Sequence, residues 1–188
     1  SFWSINDKWS AGFNAGLGSD TYQNINFRHW VQGAIEYSFF PYSEFVRREM
    51  VINYGIGYGY RNYIEETIYD KFEEYVYVHQ IGFETRFRQP WGEIYARLSG
   101  KSFLQDPSKN SMRLNSWFSI RIFEGLSFRI GGEIELIRDQ ISLPKGNASI
   151  EDLLLQQKEI ATDFRSEFRV GLSYTFGSAF NNYLNSRL

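Results

Sequence analysis

From Trp9 to Phe176, bulky apolar residues recur at every second position in one segment after another. Successive side chains of a strand point to opposite faces of a sheet, so this rhythm describes strands with one apolar and one polar face. The segments read as about 8–18, 28–40, 45–61, 73–88, 92–104, 112–123, 126–141 and 164–176. In the first, Trp9, Ala11, Phe13, Ala15 and Leu17 oppose Ser10, Gly12, Asn14 and Gly16. In the third, Ile52, Tyr54, Ile56, Tyr58 and Tyr60 oppose Glu49, Asn53, Gly55, Gly57, Gly59 and Arg61. Each run exceeds the roughly 5–6 residues of an ordinary globular strand.

The content of the polar face decides which solvent the apolar face meets. Glu36, Glu49, Glu84, Glu93, Glu133, Glu135 and Glu167 share it with Arg47, Arg86, Arg88, Arg97, Lys101, Arg121, Arg129 and Arg169. A soluble sandwich or lipocalin-like barrel would turn the apolar face inward and would need small and large residues mixed there to pack its taper. Here that face is uniformly bulky. The prediction is therefore an all-β, antiparallel, up-and-down transmembrane β-barrel with eight strands in this chain. Lipid meets the apolar face, and the near-balanced charges of the lumen pair across strands. No run of about 18 apolar residues occurs, but a spanning strand needs only about 9–11 alternating ones. The mean hydropathy of −0.41 fits alternation plus polar loops.

The last segment, Arg169 to Phe176, ends on two aromatics spaced by two after a glycine. This is the form of a C-terminal insertion signal, carried by Arg169, Gly171, Tyr174 and Phe176 and read by barrel-insertion machinery. The chain starts at Ser1 without Met or a signal peptide, which predicts a processed start or a fragment. Short connections are expected at 41–43, 89–92 and 124–125, and long ones at 19–27, 62–72, 105–111 and 142–163, the outer-membrane arrangement with short turns periplasmic. Ser149 and Asp152 open a loop helix at about 150–161. Its Leu153 and Leu154, with Phe180, Tyr183 and Leu184 of a periplasmic tail at 177–188, are candidate partner contacts.

Aromatic belts are expected at both interfaces: Tyr54, Tyr58, Tyr60, Tyr63, Tyr75 and Tyr77 at the long-loop end, and Phe39, Phe40, Tyr42, Phe45, Phe87, Trp91 and Phe176 at the other. Gly55, Gly57 and Gly59 face inward, either as room for opposing side chains or as a docking groove. A net charge of −2 gives no electrostatic case for nucleic acid. Without cysteine there is no disulfide or thiolate chemistry, and no metal-ligand spacing or phosphate loop is present, so no cofactor is expected. Counting from the tight turn places Ser102 opposite His79 on the outer wall. A serine with a nearby base is the minimum for a lipid hydrolase, though no third, orienting group is evident.

Several stretches together resemble a family of outer-membrane β-barrel proteins of the Bacteroidota. They are Phe40-Pro41-Tyr42 with Arg47-Arg48, Gln89-Pro90-Trp91-Gly92, Asp106-Pro107-Ser108-Lys109-Asn110, and Arg138-Asp139-Gln140 with Leu143-Pro144. Ala148 to Thr162, Gly171 to Ser178 and Phe180-Asn181-Asn182 follow, with a terminal Asn185-Ser186-Arg187-Leu188 where the family tends to close Asn-Pro-Arg-Phe. The resemblance implies further strands before this part, making it the C-terminal portion of a barrel of about twelve. It implies residence in the outer membrane of a Gram-negative bacterium, among lipid and lipopolysaccharide, and transfers no activity to any residue. The expected function is that of a structural or accessory subunit of an envelope complex, without catalysis. A passive channel for small solutes is the alternative, and a lipid hydrolase the third reading.

Overall fold

The computed structural model describes residues 2–146 and 163–175. Nine strands follow one another: β1 (Phe2–Ser4), β2 (Trp9–Asp20), β3 (Ile25–Ser38), β4 (Arg48–Tyr63), β5 (Glu73–Gln89), β6 (Gly92–Phe103), β7 (Asn110–Phe123), β8 (Leu126–Ile137) and β9 (Asp163–Tyr174). Each pairs antiparallel with its chain neighbours only, in a single sheet of order β1 to β9. Two 3-10 turns, Thr21–Gln23 and Tyr42–Glu44, are the only helical elements among the described residues. No helix there is long and apolar enough to cross a membrane.

The fold is thus an all-β up-and-down sheet, but among the described residues it is not closed: β1 and β9 are its two edges. An even number of antiparallel steps separates them, so they run in the same direction and cannot pair antiparallel with each other. β1 is the strand absent from the sequence reading. It pairs Phe2 with Gly12 and Ser4 with Ser10, and so occupies the lower edge of β2. The sheet nevertheless curls strongly. Asn24, at the β2–β3 tip, donates through Nδ2 to the carbonyl of Ser142, beyond the end of β8 (3.1 Å).

The two faces differ as the alternation requires. On one, Phe13, Val31, Ile35, Ile56, Ile81 and Ile130 are exposed, and Leu17 and Phe168 reach 73% and 74%. On the other, Glu49 and Glu135 are 7% exposed. An exposed apolar surface this continuous is unusual for a water-soluble monomer.

Three expectations need correction. The 19–27 connection is only residues 21–24, because Asp20 already pairs with Ile25. The 41–43 turn spans 39–47 and holds the Tyr42–Glu44 turn. Residues 138–141 leave β8 and fold over the polar face, where Ile141 is buried against Val76 and Phe103. Phe176, the loop helix with Leu153 and Leu154, and the tail with Phe180, Tyr183 and Leu184 lie outside the described residues.

At the end that carries the 64–72 and 138–146 segments, the connections knit into a cap. Asn24, held in the left-handed region (φ 58°), accepts through Oδ1 from the Glu65 amide (2.9 Å) and donates to the Glu65 carbonyl (2.9 Å). Ile68 donates to the Leu143 carbonyl (2.9 Å), and the Lys145 amide to the Glu66 carbonyl (2.8 Å). Beneath this cap Ile25, Thr67 and Ile68 are almost wholly buried. The Lys145 ammonium sits 2.6 Å from the Asp70 carboxylate, which raises the Lys145 pKa through that hydrogen bond.

Candidate functional site

The polar face is where the charged residues meet, and register explains how. Across β4 and β5 Glu49 faces Arg86, and across β5 and β6 Glu84 faces Arg97 and Arg88 faces Glu93. Opposite charges placed directly across a strand pair attract, and like charges there repel. Arg86 is the hub: its guanidinium lies 3.8 Å from Glu49, 3.6 Å from Glu84 and 3.7 Å from Glu93. Arg88 takes Glu93 at 3.0 Å, and Arg97 takes Glu84 at 3.7 Å. Three carboxylates and three guanidiniums therefore form one neutral network at the end near the tight 90–91 turn.

Arg86 also lies over the Tyr95 ring (4.9 Å), Tyr95 stacks on Trp117 (5.9 Å), and Arg129 lies over the Trp117 ring (5.2 Å). This cation–aromatic ladder crosses four strands. The sequence reading passed over Tyr95 and Trp117 because it sought charges on the polar face, yet their odd positions place them there. It also passed over Arg113, which sits opposite Glu135 and donates to it through Nε (3.1 Å) while lying 3.7 Å from Glu133. Asn115 Nδ2 donates to the same Glu133 (3.1 Å).

The remaining predicted residues are scattered. Glu36 accepts from Ser10 Oγ (3.4 Å). Arg169 pairs with Glu167 on its own strand (2.6 Å), both well exposed on the β9 edge. Arg121 is exposed, and its backbone amide donates to the Trp91 carbonyl (2.7 Å). Arg47 donates through its amide to the Glu44 carbonyl at the 39–47 turn (2.8 Å). Lys101 binds Asp139 at 2.6 Å, and Ser111 Oγ donates to the same carboxylate (3.0 Å). Burial alone would raise the Asp139 pKa, but the Lys101 charge and these hydrogen bonds hold it below the ordinary carboxylate value.

His79 and Ser102 do face each other across β5 and β6. The Ser102 hydroxyl, however, donates to the Pro107 carbonyl (3.4 Å), and the His79 ring lies edge-on to Tyr54 (6.1 Å). No base-to-hydroxyl hydrogen bond joins them. Among the described residues no group of His, Asp or Glu is arranged to hold a metal.

In the long-loop belt, Tyr58 stacks on Tyr75 (5.8 Å) and Tyr60 packs on Tyr75 (5.1 Å) and His29 (5.5 Å). Tyr63 is not part of it. It is buried on the polar side, and its hydroxyl donates to Glu74 (2.6 Å).

Below the cap the polar face changes character. Arg28 and Arg61 face each other across β3 and β4, like charges at one register position. Arg28 covers the Trp30 ring (5.5 Å) and Arg61 the Phe103 ring (5.6 Å). Both arginines border a cavity of about 290 Å³, which Trp30, Gln32, Gly57 and Gly59 also line. A second cavity of about 380 Å³ lies nearer the cap and shares Arg61 and Lys101 with the first. Trp30 lies flat because Gly16 sits opposite it: a Cβ at Gly16 would come within 2.2 Å of the indole.

Comparison with known proteins found no matching family model, no similar curated protein and no similar solved structure.

Proposed function

We propose that this chain is a transmembrane β-barrel of the Gram-negative outer membrane and serves as a structural or accessory subunit of an envelope complex, without catalysis. The observation that carries the reading is the pairing of two features. The exposed face is bulky and apolar over every long strand, while the shielded face holds a neutral ionic network. Charges neutralised in place fill a barrel interior rather than line an open route. In lipid the apolar face is satisfied by the bilayer, and every strand edge must find a partner.

Closure follows from strand direction. β1 and β9 run parallel, so an antiparallel barrel takes up an odd number of further strands between them. The barrel of about twelve implied by the resemblance to Bacteroidota proteins meets this condition, since three strands complete nine. The curl that brings Asn24 to Ser142 supports the same reading. On this view the insertion machinery reads the C-terminal strand, and lipid and lipopolysaccharide surround the wall.

A passive channel is the second reading, favoured by the two cavities that meet at Arg61 and Lys101. Single-channel conductance in planar bilayers, with an Arg97→Ala variant beside the wild type, separates the two. The accessory-subunit reading expects no steady conductance in either protein, and one envelope partner purified in fixed ratio with the chain. Steady conductance that changes with the substitution would overturn it in favour of the channel.

A further inference from the structure

We propose that the cavity beneath the loop cap binds an anionic group, a carboxylate or phosphate on a small organic molecule, held between the facing guanidiniums of Arg28 and Arg61 with the Trp30 ring as its apolar wall. The inference stands apart from the accessory-subunit reading and needs only the geometry of the polar face.

Three observations lead to it. The first is charge. At the opposite end each of Arg86, Arg88 and Arg97 has a carboxylate within ion-pair distance. Arg28 and Arg61 have none among the described residues. The carboxylate in register with Arg61 is Glu74, and it is held elsewhere, by the Tyr63 hydroxyl (2.6 Å) and the Lys71 ammonium (2.6 Å). Lys101, the third cation of this region, is neutralised by Asp139 (2.6 Å). Two positive charges therefore remain, placed where they repel each other.

The second is an unmet donor. The Nε of Arg28 is shut off from solvent and has no hydrogen-bond partner. The Nε of Arg86 is likewise without one, but a carboxylate, Glu93, lies 3.7 Å from it, and Arg28 has none in reach among the described residues. A buried donor without an acceptor is costly, and more so on a charged group. An oxyanion would accept from it and relieve the repulsion with Arg61 in one step. Guanidinium donors match the planar spacing of carboxylate and phosphate oxygens, which a single ammonium does not.

The third is space. The cavity of about 290 Å³ lies where glycines replace side chains, since a Cβ at Gly59 would meet the His29 carbonyl at 2.9 Å. Gln32 and Gln80 supply amide groups at its walls, and Trp30 an aromatic surface. The occupant is thus a small molecule with an anionic head and a flat or apolar body.

Isothermal titration of the purified full chain with inorganic phosphate, acetate and phenyl phosphate tests this, at constant ionic strength set by chloride. Saturable binding of phosphate or acetate is expected, with phenyl phosphate tighter than inorganic phosphate because of Trp30. Arg28→Gln and Arg61→Gln should each weaken it by about tenfold or more, the scale of a charged hydrogen bond. Arg121→Gln, at an exposed site, should leave it unchanged. Neither cavity variant should unfold at a lower temperature than wild type, because each removes a repulsion. Should Arg28→Gln not fold, Arg28→Lys keeps the charge without the fork and is expected to weaken binding as well. Absence of saturable binding for all three anions would overturn the proposal. So would equal binding by the wild type and both cavity variants.

Discussion

The two ends of the polar face use the same side chains to opposite effect. Near the 90–91 turn, every guanidinium of the Arg86, Arg88 and Arg97 group meets a carboxylate, and the sum is neutral. Under the loop cap, Arg28 faces Arg61, and aromatic rings stand where carboxylates would. The first arrangement is what a sheet needs to hold itself together. The second leaves free energy unspent and is kept at some cost to stability, which is the usual mark of a site built for something outside the chain. The lesson is that composition does not separate structural charge from functional charge. Nor does register alone, since Arg61 faces Glu74 across β4 and β5. What separates them is whether the carboxylate in register is still free, and Glu74 is taken by Tyr63 and Lys71.

The sharpest way to break this contrast is Arg86→Ala. It strands the buried Glu49 carboxylate beside Glu84, and loss of one partner of a buried pair costs about 3–5 kcal/mol. Chemical denaturation should show that loss, and a cost under about 1 kcal/mol would remove the structural role assigned to the network. Next in size is Asn24→Ala, which deletes three hydrogen bonds joining separate connections. A loss of about 2–3 kcal/mol is expected, with faster amide exchange at Glu65 and Ile68. Unchanged exchange there would mean that the cap is held by apolar burial alone.

A smaller effect belongs to acid. The Asp139 pKa is depressed in the folded chain, so its contribution is present above the unfolded value near 3.9 and is lost as pH falls through the lower folded value. Asp139→Asn should flatten that part of the stability curve by about 1 kcal/mol, the scale of a partly exposed pair. An unaltered acid limb would assign the limb to other carboxylates. Smallest of all is Arg28→Gln, expected to change stability by no more than about 0.5 kcal/mol and toward greater stability. A loss comparable to that of Arg86→Ala would erase the difference between the two ends.

Much of this was legible in the chain. The eight long strands follow from period-two alternation, because one apolar and one polar face leave no other regular solution. The pairing of Glu84 with Arg97 and of His79 with Ser102 follows from counting back from the tight turn at Gln89–Gly92. What escaped has physical causes. β1 is three residues long, too short for any period to show. The role of Asn24 depends on Ser142, which is remote in sequence and joined to it only by the curl of the sheet. Ile141 breaks the alternation of β8, since its odd position falls on the polar side with Glu133 and Glu135, and the apolar partners that bury it there, Val76 and Phe103, belong to other strands. Arg28 and Arg61 were visible as residues, and their lack of a carboxylate partner was not, because Glu74 stands in register with Arg61 and is taken by Tyr63 and Lys71.

Because every strand pairs only with its chain neighbour, the order of assembly is written into the topology. From β1 to β8 each pairing closes a connection of nine residues or fewer, so the entropic cost of pairing is met in small steps, and only the β8–β9 pairing closes a long one. Growth can begin at any hairpin and zip outward, and no strand has to be threaded between two others. A cut in the 104–109 connection would leave two sheets that still recognise each other along the full length of β6 and β7.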